Sequence, residues 1–177
     1  ALAGFALWRG KPLPISATSW SGAGDDGEGE MMVRLSGAPP AIAGARQLIG
    51  GTPMAPEAGA AWWRSLREQT HAYFAPGQPL WRLALPPTAA ALGLGPTLLE
   101  WGGGQRWLSG EYDAAMLRET AQRLGGHATL FRTGQGRPPA DGVFHPLAPG
   151  IASITHRLKQ ELDPAGLFNP GRLVLDL

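Results

Sequence analysis

The residues that could do chemistry in this chain are few and scattered. Four histidines, His71, His127, His145 and His156, are available as ligands or proton carriers. None pairs as H-x-x-x-H or sits beside a carboxylate at a metal-site spacing, so no metal site is expected. Gly102, Gly103 and Gly104 form a glycine run, but a phosphate cradle needs G-K-[ST] before a helix or G-x-G-x-x-G between a strand and a helix. A tight reversal needing positive φ fits the run better. No G-x-S-x-G elbow occurs, and no pair of carboxylates can be assigned acid and base roles from spacing. Asp25, Asp26, Glu28 and Glu30 match no EF-hand loop and read as solvated charge. In "HATLFR", His127 and Phe131 share one face of a strand and Arg132 takes the other, so His127 and Arg132 cannot enter one site unless a bulge intervenes.

The tail "LKQELDPAGLFNPGRLV" is the most directed stretch. Pro164 cannot continue a helix, Asp163 can accept hydrogen bonds from the amides that follow it, and Pro170-Gly171 forces a second turn after Asn169. Two successive turns would fix the directions of Asn169 and Arg172.

The elements that must position these residues follow from periodicity. Period-two patterns place strands at Leu13–Trp20, at Gly29–Gly37 with Met31, Val33 and Leu35 on one face, at Leu80–Leu85 with Trp81, Leu83 and Leu85 together, and at His127–Arg132. "TLLEWGGGQRWLSG" reads as a hairpin. Helical spacing marks Pro39–Ile49, closed by Gly50-Gly51; Glu57–Phe74, with Trp62, Leu66 and Tyr73 near one stripe; Tyr112–Leu124, carrying Ala114, Leu117, Ala121 and Leu124; and Pro149–Leu162, aligning Ile151, Ile154, Leu158 and Leu162. The order β-β-α-α-β-β-β-α-β-α predicts an α+β class, an antiparallel sheet with helices packed on one face, close to a ferredoxin-like arrangement. The seven tryptophans fall mostly at core-facing positions.

Bulk composition excludes several function classes. Hydrophobic residues are 44% and charged residues 16%, the balance of a globular chain with no spanning segment. The net charge is +1 and the basic residues are dispersed, so nucleic acid is not an expected partner. Cysteine is absent, which removes disulfides, thiolate zinc, iron–sulfur ligation and cysteine nucleophiles from this chain. The opening "ALAGFALWRGKPLP" lacks an initiating Met and a signal peptide's basic region, and reads as the middle of something longer.

The tail also resembles the C-terminal signature of FAD-linked oxidases of the vanillyl-alcohol oxidase type, through Lys159, Asp163-Pro164, Gly166, Phe168-Asn169-Pro170-Gly171 and Arg172. With "WRLALPPT", "LLEWGGGQRWL", "GGHATLFR" and "VFHPLAPGIASITHRL", the likeness narrows to the C-terminal half of the FAD-binding E-type subunit of bacterial glycolate oxidase. The resemblance implies a tail over 1–12 from a preceding region, a ferredoxin-like cap or substrate domain over 13–162, and a segment over 163–177 returning toward a flavin domain. It further implies FAD in the intact subunit, held by an N-terminal domain this chain lacks and so not expected on this piece alone, which is expected to be inactive by itself.

The activity implied is oxidation of glycolate to glyoxylate, with a catalytic flavin subunit and an iron–sulfur subunit as partners. The implied location is cytoplasmic, peripheral to the inner membrane through those partners. A 2-hydroxy carboxylate calls for a bidentate cation. Arg132 and Arg106, with His145, are therefore the substrate-side candidates, and Asn169 and Arg172 the cofactor-side ones. The related H-x-G-D-G-N strand of metal-binding relatives is represented only by "GGHATLFR", so metal binding is not carried over. Two other readings stay open: a non-catalytic electron-transfer or assembly subunit, and a free-standing ferredoxin-like binding module.

Overall fold

Alternation in "LWRLAL" produces a strand whose two faces are both apolar, and the sheet is built outward from it. The computed structural model describes residues 1–24, 27–75, 77–140 and 142–173. Within them run α1 (Leu2–Arg9), β1 (Ile15–Gly22), β2 (Gly29–Leu35), α2 (Pro39–Ile49), α3 (Pro56–Arg67), β3 (Leu80–Ala84), β4 (Thr97–Glu100), β5 (Gln105–Ser109), α4 (Ala114–Arg123), β6 (His127–Arg132) and α5 (Pro149–Leu162). The six strands form one sheet in the order β2-β1-β4-β5-β3-β6, and every neighbouring pair is antiparallel.

Register sorts the core into two. Trp81, Leu83 and Leu108 share one face with Ala128 and Leu130 and pack under Leu117 and Ala121 of α4. Leu99 and Trp20 continue that face and receive Phe5 of α1. Leu80, Leu98 and Trp107 point the other way, onto Leu66 of α3 and Phe74. The expected α+β class and antiparallel sheet are therefore present, while the helices, expected on one face, divide between both. The reason is that β3 and β5 are apolar at both parities, and each parity needs a cover.

Three local features depart from the periodicities. Residues 2–9, for which the periodicities mark no element, fold as a helix, with Phe5 only 3% exposed beneath Trp20 and Leu99. The helix expected to run to Phe74 stops at Arg67: Gln69 takes a φ of 54°, and a separate 3-10 turn spans Ala72–Phe74. That turn is capped by His71, whose Nδ1 accepts from the Tyr73 amide at 3.2 Å. In the hairpin, Trp101 leaves the strand for the turn, where it is 69% exposed, and Gly102 and Gly103 supply φ values of 62° and 90°. Of the acidic loop, Glu28 and Glu30 are exposed, while Asp25 and Asp26 lie outside the described residues.

Gly126 shows why α4 can pass at once into β6. A Cβ there would sit 2.1 Å from the Ala84 carbonyl oxygen, so only glycine lets the two backbones approach. The fully buried Leu83 lies beneath α4. Leu83→Ala should lower the unfolding free energy by about 2–5 kcal/mol, measured by urea denaturation with an unchanged m value.

Candidate functional site

The tail follows from three residue types. α5 ends at Leu162 because Pro164 follows, and Asp163 becomes a hub. Its Oδ1 accepts from the Leu167 amide and its Oδ2 from the Phe168 amide, both at 2.9 Å, and Lys159 Nζ reaches Oδ2 at 2.6 Å. Lys159 also donates to the Phe168 carbonyl, so one cation ties the helix to both turns. Gly166 with φ 64° and Gly171 with φ 65° complete the reversals, and Asn169 takes φ 49°. The hydrogen bond from Lys159, then those from the Phe168 and Leu167 amides, hold the Asp163 carboxyl down to a pKa of about 2.

Asn169 and Arg172 are thereby brought together. Both are exposed, and both line a groove of about 570 Å3 floored by Leu158, Leu162 and Phe168. The apolar stripe of α5 is likewise uncovered: Ile151, Ile154, Leu158 and Leu162 are 54, 55, 55 and 79% exposed. This 14-residue helix has no buried residue.

The substrate-side candidates occupy three separate places. Arg106 is fully buried on the Trp81 face, where it donates to the carbonyls of Gly103 (3.2 Å), Ala90 (2.6 Å) and Ala89 (2.6 Å). It holds the β3–β4 connection onto the sheet. Arg132 stands at the end of β6, where its Nη2 donates to the Phe74 carbonyl at 3.2 Å and its buried Nε has no hydrogen-bond partner among the described residues. A register shift between Leu80 and Trp81 sets Arg132 opposite Leu80, so the bulge does intervene and Arg132 shares the His127 face, though at the other end of the strand.

His145 lies near that first end of β6. Its Nδ1 accepts from the Ala128 amide at 3.3 Å, and its ring is 6.4 Å from that of His127. Burial, then the charges of His127 and Arg118, push its pKa down. Among the described residues no group of three or more His, Cys, Asp or Glu could hold a metal ion. Nor is any described helix long and apolar enough to cross a membrane.

Periodicity missed a second concavity. A cleft of about 1300 Å3 lies between the β1–β2 end of the sheet and α3, and contains none of the candidates above. Its signals were the polar parity of "GEMMVRL", which carries Arg34, and the mixed stripe of Trp63, Arg64 and Arg67 on α3.

Against known proteins, the chain is similar to the glycolate oxidase subunit GlcE of Escherichia coli (strain K12), 36% identical over 178 residues that cover 100% of this chain. The chain is a relative of that subunit. It spans 46% of the subunit's length. No protein-family model and no solved structure matches it. The likeness to glycolate oxidase read from the tail and strands thus extends over the whole chain, α1 and the cleft included.

Two tests separate structural from ligand roles within this relative of a glycolate oxidase subunit. Arg106→Met should strand three carbonyls and lower stability by about 2–3 kcal/mol; unchanged stability in urea would instead free Arg106 for a ligand. The Asp163 carboxylate has a depressed folded pKa, so its contribution is complete above the ordinary carboxylate range and disappears as pH falls toward about 2. The Leu167 and Phe168 amide resonances should move together across that window in wild type, and Asp163→Asn should abolish the transition.

Proposed function

We propose that this chain is the cap region of a glycolate oxidase FAD-binding subunit, and that in the intact protein it contributes to flavin-dependent oxidation of glycolate to glyoxylate. The observation that carries this reading is 36% identity to a glycolate oxidase subunit along the entire chain. The open face of α5 and its tail support it, because covering that stripe would remove a continuous apolar surface from water. The cover proposed is a flavin domain of the same polypeptide.

The residues present fit the edge of a flavin rather than a whole dinucleotide. The groove offers an apolar floor, the Asn169 amide and the Arg172 guanidinium, and its size suits a ring edge and one anionic group. FAD bound by the intact subunit would supply the acceptor for the hydride equivalent. This chain's part is to hold Asn169 and Arg172 in place through the Asp163 turn, to exclude water with Leu158, Leu162 and Phe168, and to present Arg132 as a cation for a carboxylate. A catalytic flavin subunit and an iron–sulfur subunit are the proposed partners, at the cytoplasmic side of the inner membrane.

The placement of Arg106 favours a second reading. With that guanidinium turned to carbonyls and His145 to a backbone amide, the described residues assemble no acid–base group around these candidates, which is what an electron-transfer or assembly subunit would show. The full-length subunit, with FAD verified as bound, decides between them. Bleaching of the flavin absorbance by glycolate without the other subunits is the expected result, and no bleaching sinks the catalytic reading. Asn169→Ala and Arg172→Ala should each weaken FAD retention about tenfold, the worth of one charge-assisted hydrogen bond, read by flavin fluorescence on dilution.

A further inference from the structure

The cleft between β1, β2 and α3 has a charge and an architecture that the proposed oxidase chemistry does not use. Among the described residues its lining carries Arg9, Lys11, Arg34, Arg64 and Arg67 against a single carboxylate, Glu100. Two of these cations are engaged: Arg67 pairs with Glu68 at 2.7 Å, and Arg9 donates to the carbonyls of Pro87 and Gly102. The carboxylate faces neutral donors, since Glu100 Oε2 accepts from Gln105 Nε2 at 2.8 Å and from Trp107 Nε1 at 2.7 Å. The uncompensated charge of the cleft is positive.

Arg34 is the best-prepared of the remaining cations. Its guanidinium carbon lies 5.5 Å from the centre of the Trp63 ring, and its Nε donates to Ser16 Oγ at 2.9 Å. Trp63 is itself fixed by an edge-to-face contact with Trp62, the ring centres 4.8 Å apart. A guanidinium stacked on an aromatic face and tethered through Nε has its orientation set in advance, with the two terminal nitrogens left to meet a planar oxyanion side on. Lys11 and Arg64 add charge at the same cleft.

The remaining lining is apolar where a ligand body would rest, including Trp63, Leu66, Met54 and Met32. At about 1300 Å3 the cleft exceeds the volume usual for small-molecule sites, so a two-carbon acid would leave most of it empty. We propose that this cleft binds an organic carboxylate with a bulky apolar body, the carboxylate against Arg34 and the body against Trp63 and the α3 side chains. The site is distinct in residues from the tail groove, and its test does not depend on glycolate oxidation.

The probe is 1-naphthoate, titrated calorimetrically into the full-length, FAD-loaded protein, with uncharged 1-naphthamide as its neutral counterpart. The acid should bind at submillimolar concentration and the amide at least about tenfold more weakly, as loss of a charge-assisted pair requires. Arg34→Gln should weaken the acid by about tenfold or more, and Arg34→Lys, which keeps the charge without the fork, should fall between. Arg46→Gln, on the exposed surface of α2 away from the cleft, should change nothing. Equal binding of acid and amide to the wild-type protein overturns the proposal without recourse to any variant. So does undiminished binding by Arg34→Gln, and so does no binding of the acid up to about 5 mM, the outcome expected if polypeptide of the intact protein fills the cleft.

Discussion

The constraint that orders this molecule is the burial of β3 and β5 on both of their faces. Leu80 and Trp107 face α3 while Trp81, Leu83 and Leu108 face α4, and all five are at most 4% exposed. A pair of strands closed on both sides leaves no room for solvated chemistry at the centre of the sheet. The one cation placed there, Arg106, shows the consequence: its guanidinium is satisfied by backbone carbonyls of the loop that crosses it. Of the two concavities, one runs from the β1–β2 end of the sheet as far as Gln105 and Trp107 of β5 and the other lies on the α5 tail.

The margins are held by hydrogen-bond hubs as well as by apolar packing. Asp163 organises the tail because both of its oxygens receive donors and Lys159 neutralises it, which lets an otherwise exposed segment keep one shape. Tyr73 does similar work after α3, where its hydroxyl donates to the Trp107 carbonyl at 2.6 Å and so ties the turn that follows the helix to β5. Arg9 pins α1 to the hairpin turn through Gly102. Each is a side-chain to backbone contact across elements, which fixes a loop without requiring it to be buried.

What was legible in the sequence follows the range of the forces involved. The tail could be read because Pro164, Gly166, Pro170 and Gly171 act on their own backbone and Asp163 on amides four and five residues away. The alternation of Trp81, Leu83 and Leu85 and the glycine stop after Ile49 are equally local. The break of α3 was not legible, because Gln69 enters the left-handed region without glycine or proline to announce it, and the turn beyond depends on His71 as a cap. Helix α1 has no capping side chain, and its reason to exist is Phe5 meeting Trp20 and Leu99, residues far away in the chain. The division of helices between faces could have been drawn from Leu80 and Trp107, which are apolar at the parity opposite to Trp81 and Leu108.

The Arg34–Trp63 stack is the clearest case of chemistry that no local pattern holds. Arg34 occupies the polar parity of an outer strand and Trp63 the mixed stripe of a helix, and each reads separately as surface. Only the antiparallel pairing of β2 with β1, which turns Arg34 to the side covered by α3, makes them one site. The cleft and the tail groove have no lining residue in common, and the doubly buried β3–β5 pair stands between the β1–β2 end of the sheet and its other edge, β6.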